Sequence, residues 1–241
     1  MKSINDLDLQ YFKHFHRDAA AASVTLEDHY LNIQIGTSGE TEKEPPHNHP
    51  GLEPLIQILD PKLTYLVVGC GAGAEIGWLM NNGCKNVTGL DICEHLLDNC
   101  RKRFSVSTVL ADMRKTGIEP GAYDVVLTHR SLHHMFYPFA ALEEIARIAS
   151  KMVMILNEPR KLWHKDLVRS ILRKRIISGA QIYEYQFDYD DVERYMLFNG
   201  FRTRKHVNFW ESGAGKQDVF HILSKALPNL GNRFSAVFEK L

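Results

Sequence analysis

From residue 52 onward the chain alternates between two hydrophobic rhythms. Tyr65–Val68, Val87–Leu90, Tyr123–Thr128 and the nearly all-apolar Met152–Leu156 have the length and composition of strands, and Ser107–Leu110 is a weaker run of the same kind. Between them, Leu52–Leu59, Ala74–Asn82, Glu94–Phe104 and Phe139–Ala149 read as helices; Leu96, Leu97 and Cys100 form the apolar stripe of the third. Strands alternating with helices predict a parallel sheet covered on both faces. The end of the chain breaks that rhythm. After a helix at Asp190–Asn199 come two strand-like runs, Phe201–Phe209 and Asp218–Leu223, separated only by the turn ESGAGKQ. That turn is too short for a helical crossover, so the two runs must pair antiparallel. The pattern therefore predicts an α/β fold, a doubly wound and mostly parallel seven-stranded sheet with an antiparallel C-terminal strand pair.

Outside this core the pattern says less. Residues 1–49 read as a helical and loop extension, a cap, with Leu9, Phe12, Phe15 and Ala19 at helical spacing and a turn-rich GTSGETEKEPPHNHP segment at its end. Residues 50–225 form the main domain, interrupted by an insertion at about 160–187 that is long for a bare connection. Residues 226–241 read as a tail.

Composition narrows the class without naming it. At 44% hydrophobic and 24% charged residues the chain is an ordinary globular protein. Lysine plus arginine equals aspartate plus glutamate, 29 against 29, which leaves no whole-chain field to gather nucleic acid or an anionic surface. Cys70, Cys84, Cys93 and Cys100 show no C-x-x-C spacing, which suits a reduced chain better than a disulfide framework. The first thirty residues are studded with charges and leave no signal-peptide core, and no apolar run approaches bilayer length. A cytoplasmic protein without stable membrane association is expected.

The chemistry concentrates at the strand ends. VVGCGAGAE, residues 67–75, joins a strand to a helix through Gly69, Cys70, Gly71 and Gly73. Glycines here let the backbone turn sharply and approach a ligand, and the helix N-terminus favours an anionic group. Asp91 ends the next strand, where an acid can accept hydrogen bonds from ribose hydroxyls, and Ile92 beside it offers an apolar face to a flat base. Asp112 repeats the logic one strand further out, able to accept from an exocyclic amine. Together they indicate an adenosine-like ligand across the strand ends.

The segments YLVVGCGAGAEIGWL, VTGLDIC, LADM and YDVVLTHRSLHHM resemble, in order and spacing, successive motifs of the class I S-adenosylmethionine (SAM)-dependent methyltransferases. The resemblance covers about residues 52–225 and is nearest the small-molecule branch, whose LHH after the fourth strand and NEP at the end of the fifth are both present. It implies a Rossmann-like fold with SAM as cofactor. Gly69, Gly71 and Gly73 would line the methionine part, Asp91 would hold the ribose, Ile92 would touch the adenine, and Asp112 would take its amino group with Met113 alongside. One departure stands out: the family often has an acid two residues before its first glycine, and here that position is Val67.

Methyl transfer to a neutral hydroxyl or amine needs a base, and His129, His133 and His134 all lie in the segment after the fourth strand, His129 also within reach of the cofactor. The competing reading makes LHH structural. His47 and His49 lack a third ligand, so no metal is expected. Arg160, Lys161, Lys165, Arg169, Arg173, Lys174 and Arg175 give the insertion a basic face, read as a lid exposed to solvent or, more sharply, as recognition of an anionic small-molecule acceptor. Two rival functions remain: an NAD(P)-dependent oxidoreductase, since Gly69, Gly71 and Ala74 also satisfy G-x-G-x-x-A, and a non-catalytic SAM-binding protein of the same fold.

Overall fold

A computed structural model of the chain describes residues 51–135, 137–161, 185–210 and 231–241. Its centre is a seven-stranded sheet of order β3-β2-β1-β4-β5-β7-β6. The strands are β1 (Tyr65–Val68), β2 (Val87–Asp91), β3 (Ser107–Leu110), β4 (Tyr123–His129), β5 (Ala149–Pro159), β6 (Phe201–Phe209) and β7 (Arg233–Lys240). β1 to β5 pair in parallel, while β7 runs antiparallel to both β5 and β6. The helices are α1 (Ala74–Asn81), α2 (Glu94–Phe104), α3 (Pro138–Ile148) and α4 (Tyr189–Phe198); Glu53–Ile58, expected as an α-helix, is a 3-10 turn with proline in its first positions.

Alternation in β1 sets up two cores. Leu66 and Val68 face the layer of α3 and α4, while Tyr65 and Val67 face Trp78 of α1 and Leu97 of α2. All four residues of β1 are buried, as a strand covered on both faces requires. Because the chain builds β2 and β3 on one side of β1 and then crosses to start β4 on the other, the β1/β4 boundary is the switch point where the strand ends part and a ligand can enter.

One element differs from expectation. The strand that pairs with β6 is Arg233–Lys240, within the segment read as a tail, and the Asp218–Leu223 run lies outside the described residues. The reason is position: β7 is inserted between β5 and β6, so it must be apolar on both faces, and Phe234, Ser235, Ala236, Val237 and Phe238 are all essentially buried. The strand β5 also extends beyond the apolar run, through Asn157, Glu158 and Pro159. Its register against β7 shifts between Ile155 and Glu158, with Asn157 at φ 54 and its N–H donating to Ser235 Oγ at 3.0 Å. This is a β-bulge, and it re-aims the side chain of Glu158. Among the described residues no helix is long and apolar enough to cross a membrane.

Candidate active site

The glycine turn is held in place by β2. Gly69 and Cys70 donate their N–H groups to Leu90 O at 2.8 and 3.0 Å, and Gly71 N donates to Asp91 Oδ2 at 2.9 Å. Gly69 (φ 69) and Gly73 (φ 92) take left-handed conformations that side chains disfavour. A Cβ at Gly69 would also stand 2.6 Å from Ser131 Oγ and 3.0 Å from Met113 Cε, so the turn, the segment after β4 and the segment after β3 converge here. The Cys70 thiol turns inward beside Cys100, leaving only its backbone at the turn. All four cysteines are buried thiols.

Asp91 is 8% exposed and accepts from Gly71 N and, through Oδ1, from Cys93 N at 3.0 Å. Burial raises its pKa, against the pull of the Gly71, Cys93 and Ile92 amides. Ile92, half-buried, follows it on the strand edge. Asp112 sits at the end of β3 in a clamp that the sequence did not announce: Arg114 Nε and Nη2 reach its two oxygens at 2.9 and 2.7 Å, with the Arg114 side chain nearly buried.

The three histidines separate into different environments. His129, at the end of β4, brings Nδ1 to 2.5 Å from Glu75 Oε1, both side chains nearly buried. Glu75 lies in the first turn of α1, so the pair bridges the switch point. His133 turns the other way, into the interior at 2% exposure, with Nδ1 2.7 Å from Glu158 Oε2. Glu158 is wholly buried and also accepts from the N–H groups of Ser131, Leu132 and His133 at 3.0, 3.1 and 3.2 Å. His134 is half-buried, its ring 4.0 Å from that of His133.

Known proteins can be set beside this geometry. Residues 66–155 match the family model described as a methyltransferase domain. That segment is similar to a methyltransferase domain. Over 102 residues the chain is 30% identical to an uncharacterized 37.1 kDa protein of transposon TN4556 from Streptomyces fradiae, a match that takes in 39% of this chain and only 30% of that protein's length. The magnesium protoporphyrin IX methyltransferase of Synechocystis PCC 6803, solved with bound S-adenosylhomocysteine (SAH), shares the fold at a TM-score of 0.58 and 15% identity, over 99% of this chain and 98% of its own. A SAM-dependent methyltransferase of Methanosarcina mazei superposes at a TM-score of 0.59 and 16% identity, over 79% and 99% of the two chains.

The residues present fit SAM, the methyl donor that the resemblance implies. An ionised carboxylate has about four acceptor positions, and the amides of Gly71, Cys93 and Ile92 do not use all of those on Asp91, which leaves capacity for a ribose hydroxyl. Met113 and Ile92 supply apolar flanks for a base, and the start of α1 presents backbone amides to a carboxylate. Against the NAD(P) reading stand the antiparallel β7 between β5 and β6 and the match of residues 66–155 to a methyltransferase model.

Geometry separates the histidines that sequence grouped. His133 is not at the cleft: its ring and the Glu158 carboxylate tie the LHH turn to the end of β5. His129 ends β4 at the β1/β4 boundary, with Nδ1 on Glu75 and Nε2 buried. Sequence reasoning missed Glu75, Arg114 and Glu158. The E of GAGAE and the E of NEP were visible in the chain, but nothing in their spacing says that each meets a histidine.

The cap at 1–49 with His47 and His49 lies outside the described residues, as does most of the basic insertion. The two ends of that insertion are fastened side by side, Lys161 N donating to Phe187 O at 2.7 Å and Phe187 N to Pro159 O at 2.9 Å, and Tyr185 N reaches His133 O at 2.8 Å. Among the described residues no cluster of three or more His, Cys, Asp or Glu side chains could hold a metal ion.

Proposed function

We propose that the protein transfers the methyl group of SAM to an oxygen or nitrogen of a small-molecule acceptor bearing a negative charge. The observation that carries this reading is the junction at the switch point: the glycine turn pinned to Asp91 on one side, and His129 at the end of β4 on the other. Adenosine over β2 and β3 leaves the sulfur and methyl near β1 and β4, where His129 can take a proton from a hydroxyl or amine as the methyl arrives. The negative charge is suggested by Arg130, Arg160 and Arg233, whose backbones meet near the carboxyl end of β5. Arg130 N donates to Leu156 O at 3.1 Å, Arg160 follows Pro159, and Arg233 Nη1 reaches Asn157 O at 3.4 Å. Two relatives in fold carry names of small-acceptor enzymes, the magnesium protoporphyrin IX methyltransferase and a possible histamine N-methyltransferase of Thermotoga maritima. Four buried thiols suit a reducing cytoplasm.

The test is a calorimetric titration with SAM, SAH and NAD, followed by transfer of labelled methyl from SAM to panels of anionic phenols, amines and carboxylates. SAM and SAH should bind and NAD should not. Tighter binding of NAD sinks the reading. Transfer confined to cationic or neutral acceptors would retire the charge assignment alone.

A further inference from the structure

Glu75, Asp91 and Glu158 are the buried acids among the described residues, at 4%, 8% and 0% exposure. Two have evident employment. Glu158 is saturated by three backbone N–H groups and a histidine ring. Asp91 anchors the glycine turn and faces the ribose position. Glu75 is different: among the described residues its one hydrogen-bond partner is His129 Nδ1. A buried carboxylate with a single partner is costly unless something else neutralises it.

Its position says what that something is. Asp91 ends β2 and Asp112 lies two residues past β3, so the adenosine of SAM would lie on that side of the turn. The amino-acid end must then fall on the opposite side, over β1 and β4, where α1 begins and His129 ends its strand. That end carries one carboxylate and one ammonium. The amides at the start of α1 suit the carboxylate. The ammonium needs an acceptor, and Val67, buried at 1% on β1, cannot be one.

We infer that Glu75, held in place by His129, receives the ammonium of the methionine part of SAM. One carboxylate oxygen takes the Nδ1–H of His129 and the other remains for the cation. This rests on the SAM-binding reading above and adds to it a residue that discriminates the amino group from its absence. The same contact gives the base a fixed tautomer, since His129 must keep its proton on Nδ1 to donate to Glu75.

Binding measurements test it without turnover. SAH, the SAH analogue lacking the α-amino group, and 5′-methylthioadenosine are titrated against the wild-type chain and Glu75→Gln. The wild type should prefer SAH over the amino-free analogue by about tenfold or more, the scale of a charge-assisted hydrogen bond. In Glu75→Gln that ratio should collapse to within about threefold, while methylthioadenosine binds as before. A wild type that binds both analogues alike, or a variant that keeps the full ratio, overturns the inference while leaving SAM binding intact. Loss of methylthioadenosine from the variant overturns it too, because Glu75 would then be holding the turn. With SAM titrated as well, a variant that keeps the SAH-to-amino-free ratio but loses preference for SAM over SAH overturns the inference and assigns Glu75 to the sulfonium. If the wild type binds neither SAH nor methylthioadenosine, the methyl-donor reading itself has failed.

Discussion

Two glutamate–histidine pairs, whose histidines stand four residues apart in the chain, do opposite work. Glu158–His133 is closed: a wholly buried carboxylate with all its acceptor capacity taken by the LHH turn and the ring of His133. Glu75–His129 is less saturated: a carboxylate with one hydrogen-bond partner among the described residues, at the boundary between β1 and β4. The first pair spends its charge on architecture, fixing the path of the chain after β4. The second keeps charge in reserve where the sheet parts. The residue types are the same, and what differs is the number of backbone N–H groups aimed at each carboxylate.

The comparison breaks most visibly if the closed pair proves dispensable. Glu158→Ala should cost about 3–5 kcal/mol, because it strands a buried ring and three N–H groups. At this size that is a fall of roughly 10 °C in Tm; a thermal melt within about 2 °C of wild type would contradict it. Replacing the less saturated pair's histidine should act on chemistry instead. His129→Asn is expected to lower turnover at saturating SAM by about 10²-fold or more, with a smaller loss of Tm than Glu158→Ala, whereas His133→Asn should lower Tm with little effect on turnover. Equal effects of the two substitutions on rate would erase the distinction.

Asp91→Asn should weaken SAM by about 1.5–3 kcal/mol in calorimetry. Some stability should go with it, since the Asp91 side chain also holds Gly71 and Cys93. Unchanged affinity in a folded variant would remove Asp91 from the ribose.

Proton linkage sharpens the contrast. Burial works to raise the pKa of Glu158, but the charge and hydrogen bond of His133, the Leu132 amide and the Arg233 charge outweigh it and hold it below 4.5. Its contribution to stability is therefore full above that value and is lost as pH falls through the depressed pKa. Asp91, raised by burial, has the opposite sign: its ionisation subtracts stability as pH rises through its elevated pKa. Acid titration of Tm should thus be flatter in Glu158→Gln than in wild type, and an equally steep acid limb in the variant would rule Glu158 out as its source. The smallest effect is expected at His134, where asparagine should change turnover less than about threefold, a surface-scale perturbation. A loss matching that of His129→Asn would move the base.

Much of this was legible in the chain. The periods of the apolar residues located β1 to β6 and the four helices to within a residue or two, except that β5 starts before Met152 and runs on past Leu156. The spacing of Gly69, Gly71, Gly73 and Asp91 marked the turn and the neighbouring strand that would meet it. The final strand was not legible, because RFSAVFEK is a short apolar run at a chain end and looks like a tail until β5 and β6 are seen to need a strand between them. The roles of the histidines were not legible either, since THRSLHHM says only that three rings are near one strand end.

What the sequence determined by itself is what local rules govern: element type from hydrophobic period, and a sharp turn wherever glycine alone tolerates the backbone. What only the tertiary structure decided is which way side chains face once irregularities accumulate. By simple alternation Glu158 would join Met154 and Leu156 on one face of β5. The bulge at Asn157, pinned by Ser235 from a strand 78 residues away, turns it toward Leu132 and His133 on the other. A one-residue slip in register reverses a side chain's direction, and register is set by a distant partner rather than by the residues on either side.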